Sequence, residues 1–176
     1  PKSYNSQIGV PLSVWLLNES SEIGIIEAGI SKRGEMEALQ KIIQPTIGVL
    51  TSLGAAHQEN FSSIEEKCKE KLLLFKDTQA LVYQMDDAIA AKCIEDFSYD
   101  GTLLGWSEKN KDAALFVEKI SKDTTTSTIE YCWQTATKGK FTLPFIDDAS
   151  IQNCITCAAI SLYLGMNPET LAERMP

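Results

Sequence analysis

The sequence predicts an α/β fold in which a mostly parallel sheet is flanked by helices and followed by a small antiparallel meander. Short apolar runs rich in Ile and Val close on glycine and are separated by segments of helical period, which is typical of parallel strands buried on both faces. From residue 113 onward apolar and polar residues alternate, as in antiparallel strands. At 176 residues the chain fits one domain, with the parallel part at 1–112, the meander at 113–147 and C-terminal helices at 148–176.

The first predicted unit is a β–α–β crossover. The apolar runs at 23–31 and 46–54 are predicted strands. The segment between them has apolar residues at helical spacing and is stopped by Pro45. A helix that joins two parallel strands makes a right-handed connection, so we expect both strands in one sheet with the helix packed on it.

The same alternation continues along the chain. A helix at 64–75 is opened by Ser63, a good N-cap residue, with acidic residues in its first turn. The last long helix is stopped by Gly165, and Asn167 caps a further helix that starts at Pro168. The other predicted elements are a strand at 80–85, a helix at 86–97, a strand at 102–106, the meander strands within 113–146 and the long helix at 148–165.

Composition and charge exclude several classes of protein. The formal net charge is −8 and there is no cluster of Lys and Arg, so we expect no nucleic-acid partner. No apolar run approaches the roughly 18 residues that a membrane span needs. The first residues resemble neither a signal peptide nor a transit peptide. The chain has no initiator Met, and we expect it to be part of a longer protein.

The five cysteines form an odd set, and Cys154 and Cys157 have the C-x-x-C spacing of many zinc ligands. No second pair of this kind and no nearby His completes a zinc site. Both residues lie in a predicted helix, where small apolar side chains three apart usually pack against a neighbouring element. The cysteine usage therefore favours a reducing, cytoplasmic compartment.

Two polar side chains are associated with the first two predicted strands. Glu27 lies near the end of the first strand, and His57, the only histidine, follows the second. Ligands of open parallel sheets bind beyond the carboxyl ends of the strands, and neighbouring strands are about 4.8 Å apart. The two side chains could therefore hold one divalent cation. The alternative is a solvated His and a strand-end Glu that never meet.

The helix at 64–75 carries a lysine on its apolar side. The inward stripe of this helix consists of Ile64, Cys68, Leu72 and Phe75. Lys71 lies on that stripe, whereas Lys67 lies near its edge and Lys69 faces away. Burial disfavours the ammonium form, and a neutral amine can act as a nucleophile or take up carbon dioxide as a carbamate. The alternative is that Lys71 extends to solvent along its alkyl stem.

The chain contains no complete phosphate-binding loop of its own. No segment matches G-x-x-x-x-G-K-[ST], because the pair Gly139–Lys140 has no upstream glycine and lies in the meander. Gly29 and Gly34 do not form a G-x-G-x-x-G fingerprint. A dinucleotide-binding interpretation is therefore discounted.

Four segments occur in an order and spacing that resemble the central domain of the Mur ligases. They are NSQIGVPLSVW, IIEAGISKRGEM, IGVLTSLGAAHQENFSS and EKLLLF. The resemblance covers residues 3–75, weakens through the meander and returns at 150–165. It is closest to the members that add D-alanyl-D-alanine to a UDP-N-acetylmuramoyl peptide, and it implies a P-loop-type central domain that lacks its phosphate loop.

The resemblance implies a ligase of peptidoglycan synthesis that uses ATP and Mg²⁺ and forms an amide through an acyl phosphate. Glu27 and His57 match magnesium ligands of the family, and Lys71 matches the lysine whose carbamate helps to bind a second magnesium. Asn5 matches an asparagine near the substrate, and Asn153 matches one near the adenine. Flanking N- and C-terminal domains are implied, so we expect the isolated chain neither to hydrolyse ATP nor to ligate.

Two other functions stay open at this stage. Ala149 and Ser150 replace a His-Asn pair of the family, and Ser6 replaces an Asn, which would suit a non-catalytic α/β interaction domain. A folylpolyglutamate synthase-like ligase is the nearest rival within the enzyme class. The I-G-V-P segment and the A-H-x-E-x-F loop favour the cell-wall enzyme, and the joint presence of Glu27, His57 and Lys71 favours catalysis.

Overall fold

The computed structural model describes residues 4–54 and 60–175 and contains one six-stranded sheet. The strands lie side by side in chain order, which are β1 Ile47–Leu50, β2 Ala80–Gln84, β3 Thr102–Ser107, β4 Leu115–Lys122, β5 Ser127–Trp133 and β6 Thr137–Leu143. The pairs from β1 to β4 are parallel, and the pairs from β4 to β6 are antiparallel. The predicted α/β fold class is confirmed, with the meander continuing the same sheet.

Helices cover both faces of this sheet. They are α1 Gly9–Trp15, α2 Glu35–Ile43, α3 Ile64–Leu72 with a 3₁₀ turn at Leu73–Phe75, α4 Ala88–Phe97, α5 Asp148–Tyr163 and α6 Pro168–Arg174. In β2, Ala80 and Val82 pack in the core under α5 and α6, whereas Leu81 and Tyr83 pack in the core under α2, α3 and α4. Successive strand residues point to opposite faces, so the apolar run of β2 is buried on both sides as predicted.

The predicted helix ends are confirmed where a local signal sets them. The Ser63 side chain accepts a hydrogen bond from the N–H of Glu66, and the Asn167 side chain accepts one from the N–H of Thr170. Gly165 has a φ of 90°, which is the left-handed conformation that ends many helices at a glycine. Such caps depend on residues close in sequence, and sequence patterns find them for that reason.

The predicted strand at 23–31 is wrong, and so is the first β–α–β unit. Its backbone joins no strand ladder with any residue that the structure describes, and the N–H of Gly29 donates instead to the carbonyl of Asn5 at 2.7 Å. Within the described residues β1 pairs with β2 alone. Ile23 is 70% exposed and Ile25 93% exposed. An apolar run forms a strand only if a neighbour accepts its backbone hydrogen bonds, and the pattern of apolar residues does not supply that partner.

Helix α1 is an element that the sequence patterns did not predict. It is only seven residues long and contains a Gly and a Pro, both of which lower helix propensity. The Ser6 hydroxyl accepts a hydrogen bond from the N–H of Gly9 near its start. Within the described residues no helix is long and apolar enough to cross a membrane, and all five cysteines are free.

Candidate functional site

The segment after α1 and the chain start meet at Asn5 and Glu27. The side-chain amide of Asn5 donates to the Glu27 carboxylate at 2.8 Å, and the Asn5 carbonyl accepts the N–H of Gly29 at 2.7 Å. Glu27 is exposed and Asn5 is half-buried. The structure therefore brings together two of the residues that the sequence singled out, with the carboxylate held in place by the amide and open to solvent.

Lys71 lies on the same side of the molecule as Glu27. It is half-buried on α3, and burial lowers its pKa, with the nearby ammonium of Lys67 adding to that effect. The thiol of Cys68 and the carboxylate of Glu27 act on the same amine in the opposite direction. An amine with a lowered pKa is neutral more often near neutral pH, and the neutral form is the one that reacts with electrophiles.

Lys67 is more deeply buried than the stripe on α3 predicted. The sequence placed it near the edge of the apolar stripe, yet it is 3% exposed. Its ammonium donates to the carbonyl of Gly54 at 2.6 Å. Lys67 is four residues before Lys71, so both side chains leave the helix in similar directions. The spacing of Lys67 and Lys71 on one helix face was a signal for the burial of both side chains, but only Lys71 was predicted to lie on the inward stripe.

The predicted roles of His57 and Asn153 are not tested by the contacts described above. His57 lies outside the residues that the structure describes. Asn153 is exposed on α5, and the core under α5 is on the opposite face of the sheet from the core under α3. The proposed metal and nucleotide roles of these two residues stay predictions.

The turn that leads into α2 is held by two carboxylates. Glu70 of α3 is 9% exposed and accepts the N–H groups of Gly34 at 2.8 Å and Met36 at 3.2 Å. Glu35 accepts the N–H of Ser31 at 2.6 Å. Carboxylates are stabilised at helix N-termini. Because Glu70 belongs to α3, its bonds tie the turn that follows the segment of Glu27 to the helix that carries Lys71. Glu70 was not among the predicted site residues, because its partners lie more than thirty residues away in the chain.

A cleft of about 320 Å³ lies between α3 and α4 but does not include Glu27 or Lys71. Four of its charged lining residues pair with one another, and the fifth, Glu70, accepts the backbone N–H groups given above. Arg33 forms an ion pair with Glu66, and Lys69 lies 4.0 Å from Asp96. Since these charges already have partners, the cleft offers little for a charged ligand.

The donor set near Glu27 suits magnesium under one condition. Within residues 4–54 and 60–175 no group of three or more His, Cys, Asp or Glu side chains is placed to hold a metal ion. Glu27 supplies a carboxylate, and Lys71 would supply oxygen only as a carbamate. Magnesium keeps several water ligands and often takes only one or two protein carboxylates beside substrate phosphates. The residues present therefore fit Mg²⁺ if Lys71 is carbamylated.

Comparison with known proteins gives a family. The profile of the Mur ligase middle domain matches residues 1–161. A UDP-N-acetylmuramoyl-tripeptide–D-alanyl-D-alanine ligase of Bacillus subtilis (strain 168) is 26% identical to this chain over 174 residues. That match covers 97% of this chain and 36% of the relative.

Two solved MurF structures have a fold similar to that of this chain. MurF from Acinetobacter baumannii has a TM-score of 0.87 at 20% identity, over 99% of this chain and 38% of that chain. A MurF ligase from Thermotoga maritima, solved in complex with ADP, has a TM-score of 0.76 at 21% identity, over 93% and 38% of the two chains. At this identity the likeness shows the fold, and the chain spans little more than a third of the length of these proteins.

Proposed function

We propose that this chain, which belongs to the Mur ligase middle domain family, is the central ATP- and Mg²⁺-binding domain of an ATP-dependent amide ligase. The reaction proposed is the addition of D-alanyl-D-alanine to a UDP-N-acetylmuramoyl tripeptide in peptidoglycan synthesis. The names of the relatives support this substrate pair, and the ADP-bound neighbour supports the nucleotide. We place the reaction in the cytoplasm, in keeping with five free cysteines.

One observation carries the proposal. An exposed carboxylate, Glu27, is fixed by Asn5 at 2.8 Å and acts electrostatically on Lys71, an amine that is drawn into the fold. A structural lysine would normally extend its ammonium to water. An amine whose pKa is shifted by burial together with a specific charged partner marks a candidate functional site, and a carboxylate is a ligand that hard cations prefer.

Lys71 would join this site as a carbamate. The neutral Nζ attacks the carbon of carbon dioxide, an N–C bond forms, one C=O electron pair moves to oxygen, and the nitrogen loses one proton to solvent. The product is an anion. The side chain therefore changes from an amine, which is cationic when protonated, to a group whose oxygens can bind a metal ion. Burial, which disfavours the ammonium, favours the reacting form of the amine.

Glu27, the carbamate of Lys71 and His57 are the residues that would hold magnesium. When bound, magnesium supplies positive charge that offsets the charge developing on phosphate oxygens. Asn5 orients the Glu27 carboxylate, and Asn153 is the residue of α5 offered to the nucleotide. His57 would be an unusual ligand, because magnesium prefers oxygen.

The proposed reaction has two balanced steps. The substrate carboxylate attacks the γ-phosphorus of ATP, the bond from that phosphorus to the bridging oxygen breaks, and ADP leaves as an acyl phosphate forms. The amine of D-alanyl-D-alanine then attacks the acyl carbon, phosphate leaves with its electron pair, and the amine loses a proton. This chain lacks a phosphate-cradling loop motif, so we expect residues 1–176 alone to show no turnover.

An assay on the full product of the gene that encodes this chain tests the proposal. Phosphate release should require both the UDP-N-acetylmuramoyl tripeptide and D-alanyl-D-alanine. Lys71→Ala and Glu27→Gln should each lower kcat by at least about 100-fold, as expected when charge stabilisation at a transferring phosphoryl group is removed. Acetate should partly restore Lys71→Ala, because a free carboxylate can stand where the carbamate would be.

Glu37→Gln is the matched control, since Glu37 is an exposed acid of α2 that pairs with Lys41. Glutamate-dependent turnover with folates would favour the folylpolyglutamate synthase-like alternative. Folded full-length protein with no nucleotide turnover on any of these substrates would favour a non-catalytic interaction domain and would contradict the proposal.

A further inference from the structure

A buried lysine beside the candidate site has no role in the scheme above. Lys67 is 3% exposed, which is unusual for a residue that normally keeps its ammonium in water. Taking an ammonium out of water is costly unless it is hydrogen-bonded. The ammonium of Lys67 is satisfied in part by a short bond of 2.6 Å to the carbonyl of Gly54. Its retention at a buried position calls for a reason beyond packing.

The acceptor of this hydrogen bond, the carbonyl of Gly54, lies in the segment that follows β1. Gly54 lies four residues after the end of β1 at Leu50. Lys67 belongs to α3, which begins at Ile64. The bond therefore joins the segment that leaves the sheet to the helix that returns along it, thirteen residues later in the chain.

Lys67 also lies one helical turn before Lys71. Its charge acts on the Lys71 amine, and the two side chains leave the same face of α3. Gly54 is held to α3 on this face. The segment that carries Glu27 leads to Gly34 and Met36, whose N–H groups donate to Glu70 of the same helix. Helix α3 thus holds both the segment after β1 and the start of α2.

We propose that Lys67 is a positioning residue, whose ammonium fixes the Gly54 carbonyl on α3 and so holds the segment after β1 at a set distance from Lys71. The inference rests on the proposed function for its consequence in metal binding, but the fixing of Gly54 is independent of it. Lys67 touches no reacting atom in this role and acts through the backbone of Gly54.

The sign of the effect on metal binding separates this role from direct repulsion of the cation by the Lys67 charge. If Lys67 only repelled a cation, its removal would tighten binding of a divalent ion. If Lys67 positions the segment after β1, its removal should weaken binding, and groups that orient ligands typically contribute about 10- to 100-fold in metal affinity. The two accounts predict opposite changes for one substitution.

The variants are Lys67→Met, which keeps the alkyl stem without the charge, and Lys67→Arg, which keeps a cationic donor. Lys69→Met is the matched control, because Lys69 carries the same charge on the outer face of α3, where it is exposed and lies 4.0 Å from Asp96. Each variant is made in residues 1–176, and its folding is checked by urea unfolding.

Hydrogen exchange measured by mass spectrometry tests the fixing of Gly54 without any metal. Amides in the peptide that spans 50–61 should exchange about tenfold faster in Lys67→Met than in the parent, as expected when a local tie is lost, with little change in peptides from β4 to β6. Lys67→Arg should restore part of the protection, and Lys69→Met should match the parent. Equal exchange in the parent and Lys67→Met overturns the inference.

Manganese binding supplies the second readout. His57 is the only histidine, so its imidazole NMR signal is identified without assignment, and bound Mn²⁺ should broaden it. The Mn²⁺ concentration for half-broadening should rise by about tenfold or more in Lys67→Met and stay at the parent value in Lys69→Met. A lower concentration in Lys67→Met overturns the inference and leaves plain charge repulsion.

Failure of the two proposals can be told apart. Absence of Mn²⁺ broadening in the parent counts against the proposed function, while the exchange comparison still decides the role of Lys67. If Lys67→Met does not fold, an NMR measurement on the parent protein tests the inference instead. A buried, hydrogen-bonded ammonium should give a slowly exchanging ¹⁵N–¹H signal that Lys67→Arg removes, and absence of such a signal overturns the inference.

Discussion

Gly29 lies where any side chain would press on Asn5. A Cβ at position 29 would be 3.1 Å from the Asn5 carbonyl oxygen and 3.3 Å from its side-chain nitrogen. We predict that Gly29→Ala displaces Asn5 from Glu27 and lowers the free energy of unfolding by about 1 kcal/mol, since crowding a packed contact is destabilising. Urea unfolding and the side-chain amide signal of Asn5 measure the two effects. Unchanged stability with an unchanged amide signal would show that the contact is not tight.

Glu35 gives the molecule a pH-dependent contribution at the start of α2. Burial alone would raise the pKa of Glu35, but hydrogen bonds from the backbone of Ser31 and Lys32 and from the Ser31 hydroxyl bring it below its ordinary value of 4.5. A carboxyl with a lowered folded-state pKa stabilises the fold fully above its unfolded value, and the contribution is lost as the pH falls through the folded value.

We therefore predict that stability falls with pH below about 4.5 more steeply in the parent than in Glu35→Gln. Glu37→Gln is the control, because that exposed carboxylate of the same helix pairs with Lys41 on the surface. Urea unfolding at a series of pH values measures the slopes. A slope in Glu35→Gln equal to that of the parent would assign the acid sensitivity to other groups.

At the scale of elements, Glu70 ties α2 to α3. Its carboxylate accepts the N–H groups of Gly34 and Met36 at the start of α2. Removal of a nearly buried acceptor leaves these donors unsatisfied, so Glu70→Ala should lower the free energy of unfolding by about 2–3 kcal/mol. Glu37→Ala, on the exposed side of α2, should change it by less than about 0.5 kcal/mol. Urea unfolding measures both variants. Similar losses of unfolding free energy in the two would show that Glu70 does not stabilise the contact between α2 and α3.

The elements also show which features a sequence pattern can find. Ser63, Asn167 and Gly165 act on groups within a few residues, so the helix ends were predicted correctly. The strand at 23–31 was not, because a strand needs a partner that the local pattern does not name. Lys67 was misplaced for the same reason, since its burial depends on the Gly54 carbonyl of another segment. Local signals were sufficient to predict helix ends and the periodicity of apolar residues, but not contacts between residues that are distant in the sequence.

At the scale of the whole molecule, most of the large apolar side chains that are exposed among the described residues lie between residues 4 and 25. The large apolar side chains exposed there are Tyr4, Ile8, Leu12, Trp15, Leu16, Leu17, Ile23 and Ile25. Patches of this kind bind other apolar surfaces. We predict that the chain binds a hydrophobic fluorescent dye, and that the double variant Trp15→Ser with Ile25→Ser lowers the dye signal by about half without loss of stability.

Leu164→Ser is the control for that prediction, because Leu164 is 56% exposed beside the end of α5, away from the N-terminal patch. Its dye signal should match that of the parent. A dye signal that survives the double variant would place the apolar surface elsewhere.

The whole molecule also shows how far the candidate site was predictable. The resemblance placed Glu27 and Lys71 together at one magnesium site, and the Glu27 carboxylate does act to raise the pKa of the Lys71 amine, but the metal roles of both residues stay predictions. The amide of Asn5 that fixes Glu27 was expected only as a substrate contact. Its contact with Glu27 depends on how the chain start packs on the segment before α2, which no periodicity encodes.

The most direct test is a crystal structure of this chain grown with bicarbonate and Mn²⁺, with anomalous data collected at the manganese edge. The account predicts electron density for a carboxyl group bonded to the Nζ of Lys71 and an anomalous peak held by that group and by Glu27. A bare Lys71 amine directed to one surface and Glu27 to another, with no ion between them, would contradict it.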